Sequence, residues 1–325
     1  MEENEFAPRI NLTELQQSAE KIRNELGKVI VGQHQVVDQL MAALFANGHV
    51  LIEGVPGIAK TLTAKLLARA VGTGFSRIQF TPDLMPSDII GTSVFNQKIN
   101  DFEFRRGPIF SNLILIDEIN RAPAKTQSAL FEVMEERQIS MDGKRYPLDA
   151  PFIVFATQNP IEHEGTYRLP EAQLDRFMLK VEVDYPAPAD EIKILEGHHN
   201  RKMKAPELII EQVLPVSELL RAQQLVSEIL VETKLIGYIA AIIGQTRNFS
   251  GIYLGASPRA GIALMNASKA LAAMQGRDFV TPDDIQFMAY PVLRHRIMLT
   301  PDKEMEGAKA NDLIKQILEK IEVPR

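Results

Sequence analysis

The sequence contains no cysteine among its 325 residues. Disulfide bonds and thiolate metal sites are therefore excluded, and the absence fits a reducing compartment such as the cytoplasm, where we expect the protein. There is also no apolar run near the ~18 residues that a membrane-spanning helix needs. The opening residues are polar and acidic, unlike a secretory signal peptide, so we expect no membrane segment.

Positive charge is in deficit: 36 Lys and Arg residues stand against 42 Asp and Glu residues, which gives a net charge of −6. This balance argues against a broad nucleic-acid-binding surface, although a local basic strip could still form in an assembly. The 45% hydrophobic and 24% charged content is ordinary for a soluble globular protein. The length predicts about two domains at ~150 residues each.

Five short apolar runs alternate with helical segments in the first part of the chain. Near-continuous apolar runs of this length are typical of parallel strands covered on both faces. The pattern therefore predicts an α/β fold with a doubly wound sheet of five parallel strands. The five runs are HVLIEG (49–54), FSRIQF (75–80), NLILIDEI (112–119), PFIVFATQN (151–159) and FMLKVEVDY (177–185).

Two segments interrupt the alternation and are interpreted as insertions. Residues 93–107 alternate polar and apolar around Asn100-Asp101, which indicates a β-hairpin. Residues 137–149 contain Asp142-Gly143, a stronger signal for a two-residue hairpin turn.

Helical patterns flank the predicted sheet on both sides. Residues 10–46 have apolar side chains at helical spacing, interrupted by VIVGQ (29–33). The proline-rich segment DYPAPADE (184–191) marks a boundary, after which the pattern is helical. We therefore predict an α/β domain over residues 1–186 and a helical domain over residues 187–325.

The segment EGVPGIAKTL (53–62) follows the template G-x-x-x-x-G-K-[ST], with Ala59 in place of the second glycine. In that motif backbone N–H groups surround phosphates, the lysine reaches the β- and γ-phosphates, and the hydroxyl binds Mg²⁺. The predicted strand before it and helix after it are the required context, so Lys60 and Thr61 are predicted to bind a nucleotide and Mg²⁺. Alanine at position 59 is tolerated if its φ is negative, and costs about 1 kcal/mol or more if φ is positive.

Polar side chains follow the third and fourth predicted strands. Asp117 could hold Mg²⁺, and Glu118 could polarise a water molecule for attack on a γ-phosphate. Asn159 could orient that water, or could simply form a turn before Pro160. Arg176 and Arg259 each lie near a helix end, where a guanidinium suits γ-phosphate charge but is equally consistent with a surface ion pair.

Six motifs occur in an order that resembles AAA+ ATPases, and most closely the MoxR family, which is related to the ATPase subunit of magnesium chelatase. The resemblance covers nearly the whole chain, and the last two motifs are quite specific. The motifs are VIVGQ, GVPGIAKT, ILIDEIN, ATQNP, LPEAQLDRF and GASPRA.

The resemblance assigns nucleotide-binding roles to the first half of the chain. It implies that Val31 and Gly32 lie against adenine, and that the glycine loop (residues 54–61) is the Walker A loop, followed by Leu62. Because MoxR proteins commonly carry GxAK[ST], Ala59 departs from the general template and not from the family. The implied loop residues are Gly54, Val55, Pro56, Gly57, Ile58, Ala59, Lys60 and Thr61.

The resemblance also implies the catalytic set. Asp117 and Glu118 correspond to Walker B, and Asn159 to sensor 1. Arg176 corresponds to an arginine finger offered to a neighbouring subunit, and Arg259 to the sensor 2 arginine, which could act in its own subunit or in the neighbour. Arg121 could also contact a neighbour's nucleotide, and its role stays open.

The function implied by this resemblance is Mg²⁺-dependent hydrolysis of ATP by a ring, expected to be a hexamer. The segment near 93–107 resembles the helix-2 insert, and 137–149 the pre-sensor 1 hairpin. The resemblance further implies a chaperone that remodels a partner protein with a von Willebrand A domain. Three alternatives remain: a nucleotide-gated scaffold without turnover, a DNA-directed machine, and a metal-chelatase motor.

Overall fold

The structure is a computed structural model that describes residues 10–98, 100–159, 167, 169–202 and 204–324. Pro160, the last residue of the motif ATQNP, lies outside these residues. The strands are β1 (Val50–Gly54), β2 (Phe75–Gln79), β3 (Gly91–Asn96), β4 (Asp101–Arg106), β5 (Leu113–Asp117), β6 (Gln138–Met141), β7 (Lys144–Pro147), β8 (Ile153–Gln158), β9 (Leu179–Val183), β10 (Ile252–Leu254) and β11 (Met298–Leu299).

The helices lie between these strands and fill the second half of the chain. Among the described residues, none of them combines the length and the apolar character needed to cross a membrane. They are α1 (Thr13–Gly27), α2 (His34–Phe45), α3 (Lys60–Ala70), α4 (Pro86–Ile90), α5 (Ala124–Glu136), α6 (Glu171–Leu174), α7 (Pro188–Arg201), α8 (Val216–Ser227), α9 (Thr233–Asn248), α10 (Pro258–Met274), α11 (Pro282–Leu293), α12 (Pro301–Met305) and α13 (Ala310–Lys320).

The five predicted strands form one parallel sheet in the order β2-β5-β8-β1-β9, which confirms the predicted fold. Successive residues of a strand point to opposite faces of the sheet, and here both faces are buried. Leu113 and Leu115 of β5 belong to one apolar core, whereas Ile114 and Ile116 belong to the other. This double burial is the reason that the strands have continuous apolar sequences.

Each of the two insertions forms an antiparallel hairpin outside the main sheet. β3 pairs with β4, and β6 pairs with β7. In the second hairpin the two turn residues, Asp142 and Gly143, have φ of 51° and 73°. A two-residue turn of this kind needs positive φ at both positions, and Asp-Gly meets that need at low cost.

Helices dominate the chain after β9. Ser257 caps α10 by accepting a hydrogen bond from the backbone N–H of Arg259 at 3.1 Å. Thr281 begins α11 with a capping box, in which Asp284 accepts from the Thr281 backbone N–H at 2.8 Å. Proline follows each capping residue at the first helical position, where its missing N–H costs nothing.

A buried ion pair joins the helical part to the sheet. Arg296, which follows α11, has only 3% of its side chain exposed and donates from Nε to Asp175 Oδ1 at 2.7 Å. Its Nη2 also donates to the carbonyl oxygens of Asp175 and Phe177, and its Nη1 to that of Met178. A single guanidinium therefore holds the segment that leads into β9.

We expect Arg296→Ala to lower the free energy of unfolding by about 3–5 kcal/mol, because it leaves a partly buried carboxylate without its cation. Urea denaturation of both proteins measures the difference. The matched control is Arg221→Ala, which removes a solvent-exposed pair with Glu14 at 3.7 Å and should cost less than about 1 kcal/mol. Equal stability losses for the two variants would contradict the assignment of Arg296 as the junction.

Candidate functional site

The glycine loop connects the carboxyl end of β1 to α3 and turns sharply between them. A Cβ at Gly54 would lie 2.4 Å from Ile58 Cδ1 and 2.6 Å from the carbonyl oxygen of Val183, so only glycine fits there. Gly57 has φ of +88°, a conformation that residues with a side chain rarely adopt. These two positions explain the glycine content of the loop in this chain.

The loop forms one wall of a cavity of about 430 Å³ at the carboxyl edge of the sheet. The opposite wall comes from the ends of β2, β5 and β8. The structure thus brings together nine of the residues predicted from the sequence. They are Pro56, Gly57, Ala59, Lys60, Thr61, Leu62, Asp117, Glu118 and Asn159, joined by Arg77, Gln79 and Thr157.

Lys60 lies inside this cavity and is held by backbone carbonyl groups. Its Nζ donates to the carbonyl oxygen of Gly54 and, at 3.2 Å, to that of Val55. Burial lowers the pKa of the Lys60 ammonium, and the carboxylates of Asp117, Glu118 and Glu53 oppose that shift. A partly desolvated ammonium next to backbone N–H groups is a favourable place for a phosphate.

Asp117 is the centre of a hydrogen-bond network that links three parts of the site. Its Oδ1 accepts from the hydroxyl groups of Thr61 at 3.0 Å and Thr157 at 3.1 Å. Its Oδ2 accepts from Arg77 Nε at 2.6 Å. The carboxylate is buried, and these contacts fix its position beside the glycine loop.

Glu118, one residue further on, has φ of 57° and ψ of 54°, in the left-handed region. This turn directs its side chain into the cavity, whereas the Asp117 side chain stays buried. Its backbone N–H donates to Thr157 Oγ1 at 3.0 Å. The carboxylate accepts from Gln79 Nε2 at 2.9 Å and forms an ion pair with Arg121 Nη1 at 3.2 Å.

Arg77 and Gln79 were not predicted from the sequence, although both line the cavity. They are alternate residues near the end of β2, and Gln79 lies opposite Asp117 in the register of the sheet. A signal was present, since Arg77 and Gln79 are long polar side chains two residues apart in a strand of the central sheet. Their place in the site depends on the pairing of β2 with β5, which the sequence does not reveal.

A second, mainly apolar cavity of about 460 Å³ adjoins the first. The two cavities share Pro56, Gly57, Ala59 and Leu62. Val31 and Ile58 line this second cavity, together with residues of α7 and the segment before it. These additional lining residues include Tyr185, Ile194 and Leu195.

Gly32 does not line either cavity but turns the chain beside them. Its φ is +76°, and a Cβ there would lie 2.4 Å from Asp190 Oδ2 on α7. The following residue, Gln33, donates from Nε2 to the carbonyl oxygen of Ile58 at 3.3 Å. Gly32 therefore lets the segment before α2 approach both the glycine loop and α7.

Arg176 and Arg259 lie together, but away from the cavity that holds Lys60. Arg176 comes just before β9, whose first residue pairs with Val50 at the start of β1. Both arginines line a depression that also includes His49, at the amino edge of the sheet. A strand of five residues spans about 16 Å, which exceeds the length of an arginine side chain. Neither guanidinium therefore reaches the glycine loop of its own chain.

Comparisons with known proteins agree with this geometry. Residues 49–179 match the ATPase family associated with various cellular activities (AAA), and residues 244–317 match the AAA lid domain. The chain is 44% identical to the chaperone MoxR1 of Mycobacterium tuberculosis over 310 residues, covering 93% of this chain and 81% of that protein. It belongs to the MoxR family of AAA+ ATPases.

Two further similarities each span more than nine-tenths of this MoxR-family chain. YeaC of Bacillus subtilis is 44% identical over 304 residues, which cover 94% of each protein. A solved structure of a protein from Cytophaga hutchinsonii, assigned as an ATPase, superimposes with a TM-score of 0.89 at 40% identity and covers 97% of each chain. The fold is therefore shared over 97% of the chain.

The alanine of the MoxR-type glycine loop adopts a left-handed conformation. Ala59 has φ of 63° and ψ of 17° and immediately precedes α3, where its carbonyl oxygen accepts from the Thr63 backbone N–H at 2.8 Å. Of the two cases considered from the sequence, the strained one therefore applies. The methyl group is partly buried against the core, which offsets part of a cost of about 1 kcal/mol.

We expect Ala59→Gly to leave stability unchanged or raise the free energy of unfolding by up to about 1 kcal/mol, because glycine adopts positive φ without strain. Thermal unfolding of the nucleotide-free protein measures this. Ala64→Gly, one turn further into α3, is the matched control and should be destabilising by about 1 kcal/mol or more. A loss at position 59 as large as that at position 64 would contradict the proposed strain.

Proposed function

We propose that this MoxR-family protein binds ATP with Mg²⁺ and hydrolyses it to ADP and phosphate. The observation that carries the proposal is the convergence of Lys60, Thr61, Asp117, Glu118 and Asn159 on one cavity. These residues come from the glycine loop and from two neighbouring strand ends, and together they supply a cation, a hydroxyl, two carboxylates and an amide. That combination suits phosphoryl transfer to water.

The two adjoining cavities fit the two ends of a nucleotide. The backbone N–H groups of the glycine loop and the start of α3 face the polar cavity, where Lys60 would neutralise the β- and γ-phosphates. The apolar cavity would take the base against Val31, with Gly32 keeping the chain close. The loop residues common to both cavities, among them Pro56 and Leu62, would then lie beside the sugar and α-phosphate.

The residues present also fit a magnesium ion. The hydroxyl of Thr61 and the carboxylate of Asp117 are hard oxygen donors only 3.0 Å apart, and Mg²⁺ prefers such ligands. Arg77 already places positive charge against Asp117 Oδ2, so this carboxylate is adapted to a cation. When bound, the ion would neutralise charge on the phosphates.

Glu118 is the proposed general base. A water oxygen attacks the γ-phosphorus, the bond to the β-γ bridging oxygen breaks, and Glu118 accepts a proton from the water. Asn159 would orient that water through its side-chain amide. Gln79 and Arg121 hold the Glu118 carboxylate within the cavity.

Arg176 and Arg259 are proposed to act on the nucleotide of a neighbouring subunit. Both lie at the sheet edge opposite the cavity of their own chain. The only phosphates that they can approach are therefore those bound by another chain. A finger donated in this head-to-tail manner closes into a ring, which we propose to be a hexamer. The position of Arg259 beside Arg176 supports action in the neighbour over action in its own subunit.

We also propose the functional division of the chain and its cellular role. Residues 1–186 would form the nucleotide domain and residues 187–325 its helical lid, in a cytoplasmic chaperone whose client carries a von Willebrand A domain. The two hairpins are candidate client contacts. On the first, Phe95 and Phe102 are 48% and 63% exposed, although they pack edge to face with each other.

We expect Glu118→Gln to reduce phosphate release at least about 100-fold, since proton transfer contributes roughly 10²–10⁴, while ATP binding persists. Release of inorganic phosphate and binding of a fluorescent ATP analogue measure the two effects. Equal phosphate release above background would contradict the role of Glu118 as general base, whereas background release from both proteins would support the alternative of a scaffold without turnover. The same variant, held in its ATP state, serves as a trap: recovery of a von Willebrand A protein from cell extract only with this variant and ATP would support the client proposal.

We expect Arg176→Ala to retain ATP binding but to lose most turnover, because an arginine finger contributes about 10³–10⁵ in rate where it has been measured. Nucleotide titration and steady-state phosphate release separate these effects. Arg69→Ala, whose Nε instead donates to the carbonyl oxygen of Ile210 on the far side of α3, controls for loss of one positive charge. Loss of ATP binding in Arg176→Ala would place this residue in its own subunit's site.

A further inference from the structure

Glu135, the penultimate residue of α5, lies between the two arginines that face away from their own site. We propose that Glu135 is a positioning residue, which holds Arg176 and Arg259 side by side so that both reach the nucleotide of the neighbouring subunit together. This inference rests on the proposed role of these arginines in a ring. Neither the motifs in the sequence nor the family resemblance assigned any role to Glu135.

The carboxylate uses one oxygen for each arginine. Glu135 Oε2 accepts from Arg176 Nη1 at 2.9 Å, and Oε1 accepts from Arg259 Nη2 at 2.9 Å. The two guanidinium groups come from different parts of the chain, one before β9 and the other in the first turn of α10. Two guanidinium groups bound to one carboxylate repel each other, and the negative charge of that carboxylate offsets the repulsion.

The contacts leave most of each guanidinium available. Both described bonds of Arg176, to Glu135 and to the carbonyl oxygen of Phe131 at 2.9 Å, use the same nitrogen, Nη1. Arg259 binds Glu135 through Nη2. Because a guanidinium has five N–H donors, each group is fixed at one corner and still offers N–H groups to a phosphate. This geometry fits a Glu135 that positions the two guanidinium groups and does not block their access to a phosphate.

The end of α5 that carries Glu135 is itself anchored to the sheet. His49 Nδ1 accepts from the Val154 backbone N–H at 2.9 Å, so its Nε2 carries the hydrogen that points to the carbonyl oxygen of Met134 at 3.3 Å. On the other side, Arg137 Nη2 donates to the carbonyl oxygen of Asn47 at 3.1 Å. Glu135 is thus presented from a helix end that is held on both sides.

The first turn of α10, which carries Arg259, is anchored to the segment that carries Arg176. Ser257, the capping residue of α10, donates its hydroxyl hydrogen to Asp175 Oδ2 at 2.8 Å, and Asp175 is bonded to Arg296 through Oδ1. The first turn of α10 is therefore bound next to Arg176. With both anchors in place, Glu135 determines the spacing of the two guanidinium groups and not the position of their backbones.

The test is Glu135→Ala in the full-length protein under conditions where wild type assembles. Each of the two pairs is partly exposed, with 41% of the Glu135 side chain accessible, so each should be worth a factor of about two to five. We expect kcat for ATP to fall about three- to tenfold, with less than a twofold change in the dissociation constant for a fluorescent ATP analogue. A kcat equal to or above the wild-type value would overturn the proposal.

Glu136→Ala is the matched control. Glu136 is the adjacent, exposed residue at the same helix end, and it takes part in none of the ion pairs among the described residues. The substitution Glu136→Ala removes the same charge from the same helix end, so the kcat of this variant should remain that of wild type. Equal losses at both positions would mean that helix-end charge, and not arginine positioning, is responsible.

Mixed assemblies distinguish positioning from a local folding defect. Subunits with Glu135→Ala keep their own general base, and subunits with Glu118→Gln keep intact arginines. Mixing the two should give more phosphate release than the mean of the separate preparations, with wild type mixed with Glu118→Gln as the reference for subunit exchange. Release at or below that mean would overturn the proposal. Glu135→Gln, which preserves the side-chain volume, replaces the alanine variant if the latter fails to fold.

Arg176→Ala, mixed in the same way with Glu118→Gln, separates the proposed action of Arg176 on a neighbouring subunit from the proposed role of Glu135. If Arg176→Ala turns over ATP at the wild-type rate, the proposed trans action fails, and the role of Glu135 fails with it. If Arg176→Ala is slow and complemented while Glu135→Ala is neither, only the positioning role is overturned. Slow, complemented behaviour of both variants supports both proposals.

Discussion

The common direction of the five strands in the central sheet is the constraint on which the rest of the structure depends. Because β2, β5, β8, β1 and β9 all run the same way, every residue that follows a strand lies at one edge and every residue that precedes a strand lies at the other. The glycine loop, Asp117 and Glu118 consequently meet, although they are distant in the chain. Arg176 precedes β9 and is excluded from that edge by the same rule. The strand topology alone therefore separates the edge that carries Glu118 from the edge that carries Arg176.

Helix α5 connects these two edges within one subunit. It begins shortly after the turn that carries Glu118 and ends at Glu136, and the next residue, Arg137, contacts the loop before β1. The helical part of the chain meets the same end of α5 through Arg259, while Arg296 fixes the segment that carries Arg176. A displacement near Glu118 would therefore be transmitted along a packed helix to the arginines. The hairpin β6–β7 follows α5 directly, so the same helix end also meets a candidate client contact.

The sequence was sufficient for the architecture of the sheet, and its motifs marked residues that the structure brings to one cavity. Apolar runs identified all five strands of the sheet, with boundaries one or two residues too long at most ends, and Asp142-Gly143 identified a hairpin turn. Arg77, Gln79 and Glu135 were not identified, because their importance comes from strand order and from a contact between distant segments. Periodicity carries information about burial within an element, but a polar residue that bridges two elements has no periodic signature. The conformation of Ala59 was also undecided, since the motif fixes the residue type and not its φ.

The left-handed backbone at Glu118 sets stability and activity against each other at a single position. Every residue except glycine is strained there by roughly 1 kcal/mol or more, and glycine carries no carboxylate. Selection for a more stable fold would therefore favour loss of the proposed base, whereas selection for turnover keeps a residue that the backbone disfavours. A glutamate in this conformation therefore holds the proposed base at a cost in stability.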